Sequence, residues 1–292
     1  MYVGGGFTEA IPETLRLVVV PTDPIGDYES GGLNWIQGYF NPGGMFAEVF
    51  ALSPRESGRR EAHGMTIIGV TERGFRDALR DIRPDVVRAY GGFWPADLVV
   101  TNRVPGVPVV VSVHDTNPEL LHASVASADL IMCMSRAVAD RVRAVGANPG
   151  RIRILPNRVD LEVFGPIRDP HLLSTVADRF PPGRHILLVG RVDRQKNQDT
   201  LVRALALLPD EYTAVMVGRG DRTPLVELAE AEGVAERCFW VEGIPNSELP
   251  LWYSWCDCMC TPSRWEGFGI VFIEAAACGA ARSPSARTSW PP

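Results

Sequence analysis

The sequence predicts an α/β protein made of two doubly wound domains, each a parallel sheet layered with helices. Three observations predict it. Short, β-branched apolar runs alternate with helical patterns along almost the whole chain, the pattern of stacked strand–helix units. Most runs are continuously apolar instead of alternating with polar residues, as strands covered on both faces require. The length of 292 residues fits two domains at roughly 150 residues each.

Strands are expected at Leu15–Val20, Asp85–Ala89, Val107–Val113, Asp129–Met134 and Arg151–Leu155, and then at His185–Val189, Tyr212–Val217 and Cys256–Cys260. The helical pattern of Glu72–Ile82 puts Phe75, Leu79 and Ile82 on one face. Ser135 is placed to cap a helix carrying Val138, Val142 and Val145. Asn197–Leu208 aligns Leu201, Ala204, Leu205 and Leu208, with Asp199 and Arg203 spaced as an ion pair. Pro166, Pro170, Pro181, Pro182 and Gly183 mark a linker at 167–182. The domains are therefore 1–166 and 183–279. Ala280–Pro292 has no Leu, Ile, Val, Met or Phe and three prolines. It is expected to supply no buried strand, which leaves the second domain incomplete and 280–292 an aberrant tail.

Apolar residues make up 46% and charged residues 22% of the chain, so global disorder is excluded. The net charge is −6, with no basic run, which argues against a nucleic-acid binder. No 18-residue apolar stretch exists, and residues 1–14 lack a basic segment. No membrane span and no signal peptide are expected, and the location is expected to be cytoplasmic. The six cysteines are expected to be free thiols. Cys256, Cys258 and Cys260 fall on one strand face but lack the further ligands of a zinc site.

Two segments carry the chemistry. Gly190-Arg191-Val192-Asp193-Arg194-Gln195-Lys196-Asn197 follows a strand and opens a helix. Helix-terminal amides beside Arg191 and Lys196 would favour an anion such as a diphosphate, at the strand ends where ligands of open sheets bind. A surface turn with solvated cations is the competing reading. Glu266-Gly267-Phe268-Gly269-Ile270 leads into a helix in which Glu274 is isolated among apolar residues. An unpaired carboxylate there is costly. Glu266 is suited to accept from sugar hydroxyls and Glu274 from a ribose, against the plainer reading of two acids flanking a glycine turn. Elsewhere, His114 ends a strong strand, and Gly218 ends another in Val217-Gly218-Arg219-Gly220.

These segments resemble the donor-site signatures of retaining glycosyltransferases of family four, which have the GT-B fold. The Glu266…Glu274 spacing matches the family's Glu–seven residues–Glu motif, and Ser263 precedes it. Pro156-Asn157-Arg158-Val159-Asp160 is similar to the family's Pro-Asn-Gly-Val-Asp, with Arg158 in place of Gly. The resemblance covers roughly Leu15–Gly279. It implies two Rossmann-like domains facing a cleft, the second cut short by about 80–100 residues. It implies that Gly31, Gly32, Gly190, Arg191, Lys196, Gly218, Gly267, Phe268, Gly269, Ile270 and Glu274 bind the donor. It also implies that His114 and Glu266 act at the sugar. The expected activity is hexosyl transfer from a nucleotide-sugar to a saccharide, lipid or small-molecule acceptor, with retention. No cofactor and no metal are expected, because the chain has no Asp-x-Asp pair. Peripheral contact with a membrane is compatible with this. A sugar-nucleotide epimerase, a phosphorylase and a non-catalytic fragment are the rival readings.

Overall fold

A computed structural model describes residues 14–30 and 36–284. The chain divides into two compact units, one ending at Leu155 and the other beginning at Pro156.

The first unit runs β1 (Arg16–Val20), α1 (Ile25–Ser30), α2 (Ile36–Phe40), β2 (Glu48–Ser53), β3 (Arg59–Ala62), β4 (Met65–Gly69), α3 (Phe75–Ile82), β5 (Val86–Tyr90), α4 (Trp94–Thr101), β6 (Val109–Val113), β7 (Leu130–Cys133), α5 (Arg136–Ala144) and β8 (Ile152–Ile154). Its sheet has the order β3-β4-β2-β1-β5-β6-β7-β8. All neighbours are parallel except β3 and β4. β1 shows why its sequence is continuously apolar: Val18 and Val20 belong to one core cluster, and Leu17 and Val19 to another. Both faces of the strand are dry. Ser135 caps α5 as expected, its Oγ accepting from the Val138 amide at 3.3 Å.

The second unit runs α6 (Pro170–Ala177), β9 (Arg184–Val189), α7 (Gln198–Leu205), β10 (Tyr212–Val217), α8 (Thr223–Ala231), β11 (Cys238–Val241), α9 (Leu249–Trp255), β12 (Cys258–Thr261), α10 (Ile270–Ala277) and β13 (Ala281–Pro284). The sheet is parallel throughout, in the order β11-β10-β9-β12-β13. Leu187 and Val189 face one core cluster, and Leu188 faces the other.

Four expectations are corrected. Residues 167–182 are no bare linker: Asp169 caps α6, and Phe164 and Val176 are buried in the second unit's core. Residues 281–284 do form a strand, paired with β12. β13 lies at the sheet's edge, where backbone pairing on one side suffices and a terminal proline is tolerated. Cys256 is not on a strand, because α9 runs to Trp255 and the Cys256 amide still bonds to the Trp252 carbonyl. Asp199 and Arg203 do not pair with each other. Asp199 meets Arg264 at 3.1 Å, and Arg203 meets Glu232 at 2.8 Å. Longer-range partners outcompete the neighbouring turn, whose exposed pairs contribute little.

Candidate functional site

In doubly wound sheets, ligands bind beyond the carboxyl ends of the strands where the winding direction reverses. In the second sheet the reversal falls between β9 and β12. The two segments singled out in the sequence are the loops that leave these strands.

The first loop is packed too tightly for side chains. A Cβ on Gly218, at the end of β10, would stand 1.9 Å from the Gly190 carbonyl oxygen. Only glycine lets the β9 and β10 loops approach in this way. The loop then enters α7 through Asn197, which adopts the left-handed region at φ 59°. The Asn197 side-chain amide donates to the Pro262 carbonyl at 2.7 Å, while its Oδ1 is buried with no hydrogen-bond partner.

That bond is one of several between the two loops. Gln195 Nε2 donates to the Trp265 carbonyl at 3.1 Å, and the Arg264 amide donates to the Gln195 carbonyl at 2.8 Å. Arg264 also reaches the Arg194 carbonyl at 3.2 Å and the Asp199 carboxylate. At the centre, Lys196 Nζ sits 2.6 Å from Glu266 Oε1, with side chains 15% and 9% exposed. Ser263 Oγ donates to the same Glu266 oxygen at 2.7 Å. The second loop ends at Gly269, where φ of 74° and a Phe272 ring 2.9 Å from any added Cβ again require glycine. α10 starts directly after it at Ile270, which is partly exposed.

The structure thus brings Gly190, Lys196, Gly218, Glu266 and the Gly267–Ile270 turn to one end of one sheet. Arg191 and Lys196 both have acidic partners. Lys196 is paired with Glu266. Arg191, whose side chain is 73% exposed, pairs with Asp193 at 3.1 Å. Glu274 is placed differently from Glu266. It is 5% exposed and accepts from the Tyr253 hydroxyl at 3.1 Å, with no bond to the Lys196–Glu266 pair. Burial pushes its carboxyl above the ordinary range, and the Tyr253 hydrogen bond opposes that shift. Among the described residues, no group of three His, Cys, Asp or Glu side chains could hold a metal ion.

The first unit has its own reversal point, between β1 and β5. A cavity of about 220 Å³ opens nearby, lined by Thr22, Tyr28, Tyr39, Tyr90, Phe93 and His114 among others. His114 stacks on Tyr90 at 6.2 Å, and the Arg88 guanidinium lies 4.4 Å over the Tyr90 ring. Burial, helped by the Arg88 charge and opposed by Asp115, holds the imidazole down at about 4. His114 is therefore neutral at pH 7, and its Nε2 is buried without a partner. Gly31 and Gly32 lie outside the described residues.

Gln195, Asn197, Arg264 and Tyr253 were not singled out in the sequence. Gln195 and Asn197 stand inside the first segment and Arg264 just before Glu266, so their chain positions were a signal though their roles were not. Tyr253 sits in a separate helix, 21 positions from Glu274, and had none.

Residues 178–282 match the family model described as Glycosyl transferases group 1, and residues 50–163 match Glycosyltransferase Family 4. The D-inositol 3-phosphate glycosyltransferase of Xylanimonas cellulosilytica is 36% identical over 166 residues, 53% of this chain and 40% of that protein. The GDP-mannose-dependent alpha-(1-6)-phosphatidylinositol monomannoside mannosyltransferase of Mycolicibacterium smegmatis is 32% identical over 165 residues, 52% of this chain and 43% of that protein. The alignments span between 29% and 52% of the length of these and similar curated relatives. Among solved structures, Anabaena HepE in complex with UDP superposes with a TM-score of 0.73 at 16% identity, covering 92% of this chain and 80% of that one. Sucrose-phosphate synthase from Thermosynechococcus elongatus does so with 0.71 at 17%, covering 91% and 80%. At these identities the structures show the fold, which is GT-B.

Proposed function

The chain belongs to the family-four, group 1 glycosyltransferases, and from that premise we propose that it transfers a hexose from a nucleotide-sugar to an acceptor hydroxyl with retention of configuration. The observation that carries this is the Lys196–Glu266–Ser263 group, set between glycine turns and the N-terminal end of α7 at the sheet's reversal point. A diphosphate is an anion that helix-terminal amides and Lys196 would bind. Glu266, already fixed by Lys196 and Ser263, keeps its second oxygen for sugar hydroxyls. Glu274 would accept from the ribose, Arg191 would reach the diphosphate, and His114 would contact the transferred sugar. The solved HepE complexes with UDP and with UDP-glucose, and the GDP-mannose dependence in one relative's name, support a nucleotide-sugar donor.

In the proposed reaction the acceptor oxygen bonds to the anomeric carbon on the face the diphosphate leaves, and the hydroxyl proton departs with the diphosphate. There is no covalent enzyme intermediate. Charge on the leaving group is met by cations and amides, so the reaction is proposed to need no metal. The acceptor is a saccharide, lipid or small molecule, and the location proposed is cytoplasmic. Among the described residues no helix is long and apolar enough to cross a membrane.

The test incubates the protein with UDP-glucose, UDP-N-acetylglucosamine and GDP-mannose, each with an acceptor panel, and follows nucleoside diphosphate release and the product's anomeric configuration by NMR. Acceptor-dependent release, an α-linked product and indifference to EDTA are expected. An inverted product or Mn²⁺-dependent activity would overturn the respective part. Donor conversion without acceptor would favour an epimerase, and phosphate dependence a phosphorylase. No nucleoside diphosphate binding at all would favour a non-catalytic fragment.

A further inference from the structure

Tyr253 is fully buried in α9, among the apolar side chains of the second unit's core. Its hydroxyl donates to Glu274 Oε2 at 3.1 Å. Burial and the neighbouring Glu274 hold the phenol well above its ordinary range, so it stays protonated as a donor. α10 reads Ile-Val-Phe-Ile-Glu-Ala-Ala-Ala, which makes Glu274 its single polar side chain. Among the described residues, no lysine, arginine or histidine lies within ion-pair distance of Glu274, in contrast to Glu266 with Lys196. The two carboxylates of one sequence motif are therefore held by different chemistry. Glu266 is held by a cation, which neutralises much of its charge. Glu274 is held by a neutral phenol, which fixes its direction and adds no countercharge. One donor also occupies one of about four acceptor positions on a carboxylate.

We propose that Tyr253 is a positioning residue whose hydroxyl aims the Glu274 carboxylate, with spare acceptor capacity, at the ribose hydroxyls of a bound nucleoside diphosphate. The proposal rests on the ribose reading of Glu274 given above, and the experiment separates the two.

The readout is a ratio: the Kd of 2′,3′-dideoxy-UDP divided by the Kd of UDP, with the GDP pair run in parallel, all by calorimetry. Hydrogen bonds to a charged acceptor predict a ratio of at least about ten in the parent. Glu274→Ala is expected to collapse the ratio to about one. Tyr253→Phe keeps the ring and its packing, and is expected to lower the ratio at least threefold with little change for the dideoxy ligand. A residue that merely supports the fold would weaken both ligands alike and leave the ratio intact. If Glu274→Ala collapses the ratio and Tyr253→Phe does not lower it, the inference is wrong and the ribose reading stands. If Glu274→Ala keeps the ratio, the ribose reading fails and the inference falls with it. Should Tyr253→Phe not fold, 3-fluorotyrosine at this position, a stronger donor of nearly the same shape, is expected to raise the ratio. An unchanged ratio would overturn the proposal.

Discussion

Replacing Lys196 by methionine removes an ammonium and leaves behind a carboxylate whose side chain is 9% exposed. Taking one partner from a buried ion pair costs about 3–5 kcal/mol, because the survivor stays desolvated and unpaired. Two features soften the loss here. The lysine is itself 15% exposed, and Ser263 still donates to Glu266 at 2.7 Å. A net destabilisation of about 2–3 kcal/mol is expected for Lys196→Met. Glu266→Gln should cost less, about 1–2 kcal/mol, since a lysine stem can carry its orphaned charge toward water. The double variant should be more stable than Lys196→Met alone, because no uncompensated charge remains. Urea unfolding, followed by tryptophan fluorescence and far-ultraviolet circular dichroism, measures all three. UDP binding should weaken at least about tenfold in Lys196→Met, the loss of one charge-assisted contact. Strictly additive single-variant effects would refute the coupling between the two charges. A Lys196→Met protein as stable as the parent would refute the buried pair itself.

The depressed pKa of His114 predicts a pH effect on stability. The folded state resists protonation down to about 4, whereas the unfolded histidine protonates near 6.5. The unfolded state therefore binds the extra proton, and stability should fall as pH drops from 6.5 to 4. His114→Gln should flatten that segment of the unfolding profile; an unchanged slope would count against the neutral, buried imidazole. Gly218→Ala places a methyl 1.9 Å from the Gly190 carbonyl oxygen and should destabilise the protein by about 3 kcal/mol through overpacking. A thermal melt within about one degree of the parent would show that the loops can part at no cost.

Of the strands buried on both faces, β1, β6, β9 and β10 were legible, whereas the interior β2 was missed. β1, β6, β9 and β10 are long apolar runs whose composition allows little else. β3 reads Arg-Arg-Glu-Ala and was invisible, because an antiparallel edge strand takes its place by backbone pairing and not by burial. β13, a parallel edge strand ending in a proline, escaped because its sequence Ala-Arg-Ser-Pro carries no apolar run. In the site, the glycines and the two glutamates were legible because each is unusual in its setting. Which partner each charge chooses was not. Lys196 and Glu266 lie 70 positions apart, and their pairing follows from β9 and β12 being neighbours in the sheet. The Glu274–Tyr253 bond depends in the same way on how α9 and α10 pack.

β9 shares a six-residue register with β10, yet only two residue pairs, Cys258–Ile186 and Met259–Leu187, join it to β12. The thinnest seam of the second sheet runs directly beneath the site. The bonds from Gln195, Asn197 and Arg264 across the two loops are thus also stitches that close this seam from above. Closing it joins chain segments about 70 residues apart, the kind of contact that forms late and pays the largest loop-closure entropy. A ligand gripping both loops binds only the closed sheet and pulls the equilibrium toward it. On the proposed donor reading, the loop contacts that would hold a nucleotide are the same ones that close this seam.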